Sequence, residues 1–80
     1  MISRGNNPYL RRLIVTKYLE YVIEYDNENL VVYVSGLDED GYWWQLDCHE
    51  DVNSPEDFAQ GIEQVYLSAG EKVSVEAVTV

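Results

Sequence analysis

The feature of this 80-residue sequence that most constrains its fold is a long stretch without basic residues. From Tyr18 to Glu71 the chain carries fourteen Asp and Glu residues and no Lys or Arg. These carboxylates cannot pair locally with Lys or Arg, so they must face water, repel one another or meet a cationic partner. Apolar residues make up 46% of the sequence, which is enough to argue against disorder. The apolar residues must therefore hold the fold together.

The length and composition predict one small cytoplasmic domain. Eighty residues allow a single domain with a modest core, and we expect it to span residues 1–80, with residues 1–10 as a flexible arm. No run approaches the roughly 20 apolar residues that span a membrane, and the N-terminus lacks the apolar core of a signal peptide. The single cysteine, Cys48, cannot form an internal disulfide, so no oxidising compartment is implied.

The apolar pattern predicts four strands. Residues 13–25 alternate between apolar and polar side chains, which is typical of a strand. An alternative for the start of this stretch is a helix that begins at Asn7-Pro8, with one apolar face formed by Leu10, Leu13 and Ile14. Turns at residues 26–29 and 35–41 lead into LVVYV and YWWQLDC, so three successive strands form an antiparallel meander. KVSVEAVTV is the fourth strand.

One helix follows the meander. Ser54 can cap it, Pro55 suits its first position, and Gly70 ends it. We expect a single apolar stripe to pack on the sheet, formed by Phe58, Ile62, Val65, Tyr66 and Ala69. Gly61 interrupts the helix at a cost of about 1 kcal/mol relative to Ala, which we attribute to close approach of a strand. The predicted fold is α+β: an antiparallel sheet of about four strands with one helix on one face.

The sequence offers no catalytic constellation. Cys48 and His49 are adjacent, but consecutive side chains of a strand point to opposite faces and would not touch. A buried small Cys and a half-exposed His are the simpler interpretation. Glu20 and Glu24 lie roughly 13 Å apart along one strand face, too far for a catalytic carboxylate pair. We expect neither an enzyme nor a bound cofactor.

A calcium loop is matched only in part. Asp38-Glu39-Asp40-Gly41 with Asp47 resembles one, but Gly36 stands at the first ligand position and the predicted flanks are strands. A weak surface calcium site is the alternative left open. No zinc-ligand spacing is present, and the acidic stretch excludes direct binding of nucleic acid or anionic membrane.

The remaining prediction is a protein-binding surface. Seven tyrosines and two tryptophans are a high aromatic load for this length, and such side chains concentrate at interface hot spots. Adjacent Trp43 and Trp44 must point to opposite faces of a strand, so one of them is a candidate anchor. Aromatic surface among carboxylates suits a partner groove lined with Lys and Arg. The predicted partner-binding residues are Glu20, Glu24, Asp26, Glu28, Asp38, Glu39, Asp40, Trp43, Trp44, Asp47, Glu50, Asp51, Glu56 and Asp57.

In its composition and layout the chain resembles the small acidic phage-encoded inhibitors of host defence, the anti-CRISPR and DNA-mimic class. The features that carry this resemblance are its small size, its strongly acidic character, a meander with one helix, and acidic turns at residues 26–28, 38–40 and 50–57. The resemblance implies a basic nucleic-acid-binding partner, such as a CRISPR effector, whose DNA or RNA site is blocked.

The basic residues depart from that pattern, because four of the five precede residue 18. This cluster could pair with the protein's own acidic face, contact the partner or mediate a homodimer; its members are Arg4, Arg11, Arg12 and Lys17. It leaves allosteric inhibition open beside direct mimicry. An immunity protein or accessory module that neutralises a basic partner is the alternative function, since it uses the same electrostatics.

Overall fold

The structure, a computed structural model, describes residues 18–78, and it confirms the small α+β domain. Four strands form one open sheet, and one helix lies on one of its faces. The elements in chain order are β1 (Glu20–Asp26), β2 (Val31–Leu37), β3 (Trp43–His49), α1 (Pro55–Ser68) and β4 (Val73–Ala77). The arm predicted for residues 1–10 lies outside the described residues. No helix within residues 18–78 has the length and apolar character needed to cross a membrane.

The sheet is mixed, whereas the sequence pattern predicted an antiparallel one. Its order is β3-β2-β1-β4: the meander pairs are antiparallel, but β4 lies beside β1 in parallel. Alternation reports which residues share a face, and it carries no information on the direction of a strand pair. The predicted strand over residues 13–25 is found from Glu20 onward, and Tyr18 and Leu19 precede it. Its first five residues, 13–17, lie outside the described residues.

The core lies between the helix and the middle of the sheet. Ile23, Val32, Val34 and Ala59 are the fully buried apolar residues of the described chain. Tyr25 of β1 and Tyr66 of α1 are partly buried and pack against this cluster. Tyr21 packs against Tyr66 with ring centroids 4.5 Å apart and the ring planes tilted by 51°. The opposite face of the sheet has no helix against it among the described residues, and we call it the open face.

The helix begins and ends as the sequence predicts, although its face is rotated. It runs from Pro55 to Ser68, and Gly70 follows with a φ of +83° that suits glycine. Its sheet-facing residues are Pro55, Ala59, Ile62 and Tyr66. Phe58 and Val65, placed on the predicted stripe, are 40% and 65% exposed. Ala69, the last member of the stripe, is also exposed and follows the final helical residue. The stripe prediction was wrong for these three residues because it followed the helical period of the larger apolar side chains, whereas close packing on the sheet uses the small Ala59 and Pro55.

Two further local predictions for the helix are corrected. Ser54 precedes the helix, but its side chain makes no capping hydrogen bond. A Cβ atom at Gly61 would meet no atom within 4 Å, so the glycine is not required for close approach to a strand. Its cost of about 1 kcal/mol relative to Ala therefore has no packing compensation in the described residues.

Candidate functional site

The turn between β2 and β3 is built around a buried carboxylate. Asp38 is 2% exposed. Its Oδ1 accepts the backbone N–H groups of Asp40 and Tyr42, both at 2.9 Å, and its Oδ2 accepts the indole N–H of Trp44 at 2.7 Å. Asp38 also donates its own N–H to the carbonyl of Tyr42 at 2.9 Å. One side chain thus fixes both the path of the turn and the position of a tryptophan.

The two adjacent tryptophans point to different faces, as their spacing in a strand predicts. Trp44 lies opposite Gly36 on the helix face and is half-buried. Trp43 lies opposite Leu37 on the open face and is 48% exposed. The preceding Tyr42 is 66% exposed. The exposed tryptophan is therefore Trp43, and the other one is held in place by Asp38.

Exposed aromatic and acidic side chains meet at this turn. We call Glu39, Asp40, Tyr42 and Trp43 the tip; all four are exposed. Residues 18–78 contain one Lys or Arg, Lys72, and its Nζ forms a salt bridge with Oε1 of Glu20 at 3.2 Å. Asp38 stood with these residues in the predicted partner-binding set, but its side chain is buried, so its role is to position the tip.

A second group of carboxylates lies at the opposite end of the sheet. The turn after β1 and the loop before α1 come together there, because the N–H of Val52 donates to the carbonyl of Leu30 at 2.9 Å. These two segments line an open concavity of about 360 Å³. We call this group the acidic end; its carboxylates are Asp26, Glu28, Glu50, Asp51, Glu56 and Asp57.

Asp26 organises its turn as Asp38 does at the tip. Its Oδ1 accepts the N–H groups of Glu28 and Asn29 at 3.0 Å, and its Oδ2 accepts the side-chain amide of Asn29 at 2.8 Å. These bonds favour the charged form, so the Asn29 amide above all, together with the two backbone N–H groups, lowers the pKa of Asp26. This carboxylate stays exposed and charged.

The acidic end also holds two residues in the left-handed region. Leu30 has a φ of 59° and Asp51 a φ of 57°. Asp tolerates this region, whereas for Leu it costs roughly 1–2 kcal/mol. Leu30 lines the concavity with 38% of its surface exposed. Sequence reasoning missed it, and the available signal was its place at the end of an Asn-rich turn, where glycine is usual.

The other predicted binding residues are dispersed. Glu20 is the residue that pairs with Lys72. Glu24 lies on β1 beside Glu76 of β4 and across from Tyr33 of β2. Asp47 lies opposite Val34 on the helix face. The structure therefore groups most of the predicted carboxylates at two ends of one sheet, separated by the seven residues of β2, about 20 Å.

The residues considered for catalysis do not converge. Cys48 lies opposite Tyr33, and it is exposed rather than buried as expected. His49 lies opposite Val32 on the other face, with its Nε2 3.1 Å from Asp47 Oδ2 and its ring 4.9 Å from that of Phe58. Within residues 18–78 no three His, Cys, Asp or Glu side chains are grouped to hold a metal ion.

Comparisons with protein-family models, with curated proteins and with solved structures find no match to this chain.

Proposed function

We propose that this protein is an inhibitor that binds a basic nucleic-acid-binding protein and blocks its DNA or RNA site, in the manner of the anti-CRISPR and DNA-mimic class. The observation that carries the proposal is the tip, where Tyr42 and Trp43 are exposed beside Glu39 and Asp40. Tyrosine and tryptophan are the residue types most enriched at interface hot spots. Carboxylates around them select a partner rich in Lys and Arg.

The overall charge supports the same partner. Residues 18–78 contain all fifteen carboxylates of the sequence and only one of its five basic residues. Such an excess of one sign attracts an oppositely charged surface over a distance and speeds encounter, with an effect that weakens as salt rises. It also repels nucleic acid, so competition with nucleic acid for one protein site is the expected behaviour.

The spacing of the two acidic groups suits a nucleic-acid site. The tip and the acidic end lie at opposite ends of β2, whose seven residues span about 20 Å. Duplex DNA advances 3.4 Å per nucleotide along each strand, so about six base pairs cover the same length. A basic channel that holds a duplex of this length could therefore contact both groups at once.

The test is capture of partners from host-cell lysate on the immobilised protein, with identification by mass spectrometry. Three baits are compared: the unaltered chain, a tip variant carrying Tyr42→Ser and Trp43→Ala, and a control carrying Val65→Ser, which removes a similarly exposed apolar group from the helix. The expected result is a basic nucleic-acid-binding protein captured by the first and third baits. Added duplex DNA or high salt should release it.

Capture must then be linked to inhibition. The purified partner should lose DNA or RNA binding in a mobility-shift assay when the unaltered chain is added, and the tip variant should be at least about tenfold weaker, equivalent to 1.4 kcal/mol. A partner captured equally by the tip variant would refute the role of the tip. A captured toxin without a nucleic-acid site would instead support the immunity function.

A further inference from the structure

The sheet has two edge strands, β3 and β4, and they differ in how readily another strand could pair with them. β3 carries a bulge where its pairing passes from Val34 to Ser35, and the N–H of Cys48 on this strand donates to Oδ1 of Asp47 at 2.9 Å. A bulge and a carboxylate along an edge obstruct the approach of another strand. β4 pairs regularly with β1 over its whole length and contains neither a bulge nor a proline. Among residues 18–78 no strand lies on the outer side of β4.

The outer side of β4 presents unpaired backbone groups. The carbonyl of Lys72 accepts the N–H of Tyr21 at 2.8 Å, and the N–H of Val78 donates to a carbonyl of β1 at the same distance. The even-numbered residues of this segment therefore direct their N–H and C=O groups to β1, since these groups alternate in direction along a strand. Val73 and Val75 consequently direct theirs outward. The edge thus offers donors and acceptors to a further strand.

The sequence of this edge is complementary to itself when it is reversed. Residues 72–76 read KVSVE. In an antiparallel pair of two copies centred on Ser74, Lys72 of each copy stands opposite Glu76 of the other, and Val73 stands opposite Val75. The two valines are the residues whose backbone groups point outward, so they can exchange N–H···O=C bonds in this register. Opposite charges that face each other across two strands stabilise the pairing.

Other registers lack this match. When the centre moves to Val75, Glu76 stands opposite Ser74 and the charges no longer meet. When it moves to Glu76, two carboxylates stand directly opposite each other, which is destabilising. The charges therefore select the register centred on Ser74.

The monomer leaves both charges of this pair able to take a further partner. Glu76 lies beside Glu24 of β1 in the parallel register, and within residues 18–78 no cation pairs with it. The Lys72 ammonium bonds Glu20 at 3.2 Å, but its side chain is 79% exposed. A lysine has three N–H donors, so it can keep that bond and reach a second carboxylate.

We propose that the protein forms a twofold-symmetric dimer in which β4 pairs with β4 of a second copy, antiparallel and centred on Ser74. The sheets of the two copies then join into one, and both helices lie on the same face of it, because residues directly opposite in such a pair share a face. β3 is the strand farthest from this junction, so the dimer leaves both tips uncovered. The contact is short, and contacts of small area are weak. This proposal does not depend on the identity of any partner protein.

Disulfide trapping tests the register in the full chain, with Cys48 changed to Ser throughout. Ser74→Cys places a thiol on the twofold axis, opposite its own copy at a Cα–Cα distance of about 4.5 Å, which a disulfide can span. The matched control is Glu76→Cys, because Glu76 is exposed on the same strand and face as Ser74. The proposed register holds the two control thiols four residues apart, about 13 Å. On mild oxidation Ser74→Cys should give the linked dimer at least about tenfold faster, detected by intact mass, since Cα atoms more than about 7 Å apart cannot be bridged.

Sedimentation equilibrium tests association without any disulfide. The unaltered chain should change reversibly from monomer to dimer mass as its concentration rises. Glu76→Lys places like charges opposite each other in the dimer, so it should raise the dissociation constant at least about tenfold. In the monomer the same change removes the repulsion from Glu24, so the free energy of unfolding should not fall. The control Glu39→Lys alters the net charge equally at the exposed tip, and it should leave the dimer intact.

Each other outcome overturns the proposal. A chain that stays monomeric up to its solubility limit does not pair through β4. Equal rates of linking at the two cysteine positions, or faster linking through Glu76→Cys, would contradict the register. Equal weakening by Glu76→Lys and Glu39→Lys would show that total charge governs association. If Ser74→Cys does not unfold cooperatively in urea, the comparison of the two lysine variants decides.

Discussion

Replacing Asp38 by Asn removes one charge and almost no volume from the turn between β2 and β3, yet we expect it to be the most destabilising single charge change in the described chain. The Asp38 carboxylate accepts bonds at both oxygens, from two backbone N–H groups and from the indole of Trp44. An Asn side chain has one acceptor oxygen, and its amide group is a donor. Whichever way the amide turns, at least one N–H group of the turn faces another N–H group.

The expected loss of stability follows from the hydrogen bond that Asn cannot accept. The most favourable orientation keeps the oxygen on the backbone N–H groups and loses the bond from Trp44, whose length is 2.7 Å. A hydrogen bond to a charged group contributes about 1.5–3 kcal/mol, and a donor left unsatisfied in a buried site costs about 1–3 kcal/mol. These partly overlap, so we expect a loss of about 2–4 kcal/mol in the free energy of unfolding. Even 2 kcal/mol lowers the Tm of a domain of this size by about 8–16 °C.

The assay is urea unfolding followed by far-ultraviolet circular dichroism, with Asp40→Asn as the matched control. That control removes the same charge from an exposed side chain two residues away and should change stability by less than about 0.5 kcal/mol. Trp44→Phe removes the indole N–H while keeping an aromatic ring. In a double-mutant cycle, Asp38→Asn and Trp44→Phe should couple by at least about 1 kcal/mol. Equal stability of the Asp38 and Asp40 variants, or additivity in the cycle, would refute the reasoning.

Three further predictions concern the helix and the two groups whose pKa is shifted. Gly61→Ala should raise the free energy of unfolding by about 1 kcal/mol in urea titrations, since Ala is the better helix former and the new methyl meets open space; a destabilised variant would contradict this. The pKa of Asp26 is lowered from 3.8 by bonds from Asn29 and Glu28, so its stabilising contribution is present at neutral pH and is lost as pH falls below that value. Asp26→Asn should therefore be less stable than the unaltered chain at pH 7, with a gap that narrows near pH 3; a gap independent of pH would count against it. Burial, and then the charges of Tyr21, Asp47 and Glu71, raise the pKa of Tyr66 above 10.0, so stability should fall as pH rises past 10, and Tyr66→Phe should remove part of that fall in unfolding measured from pH 9 to 11.

The strands and the helix whose positions are marked by residues close in sequence were predictable. The alternation that ends at Tyr25 and the turn at residues 26–29 located β1 and the start of β2, and Pro55 and Gly70 located the ends of α1. The opposite orientations of Trp43 and Trp44 also followed from strand geometry alone. Each of these inferences depends on residues only a few positions apart, where the geometry of one element decides the outcome.

The features that escaped prediction depend on contacts between distant residues. The parallel placement of β4 beside β1 is decided by the path of α1 over the sheet. The burial of Asp38 requires Trp44 to reach back over the turn, so the sequence alone showed only one more acidic residue among its neighbours. In the same way, Phe58 matched the helical period, but the helix packs on the sheet through the small side chain of Ala59, and Phe58 is left exposed.

The parallel pair β1–β4 also bears on the order in which the domain folds. Tyr21 meets Val73 across this pair, fifty-two residues further along the chain, whereas the two hairpins join segments only a few residues apart. Closing a long loop costs more entropy than closing a turn, and contacts of high sequence separation slow folding. We therefore expect the meander to form first and the docking of β4 to limit the rate. Until β4 arrives, β1 is an unpaired edge, and the partly folded chain is most prone to join another copy at that strand.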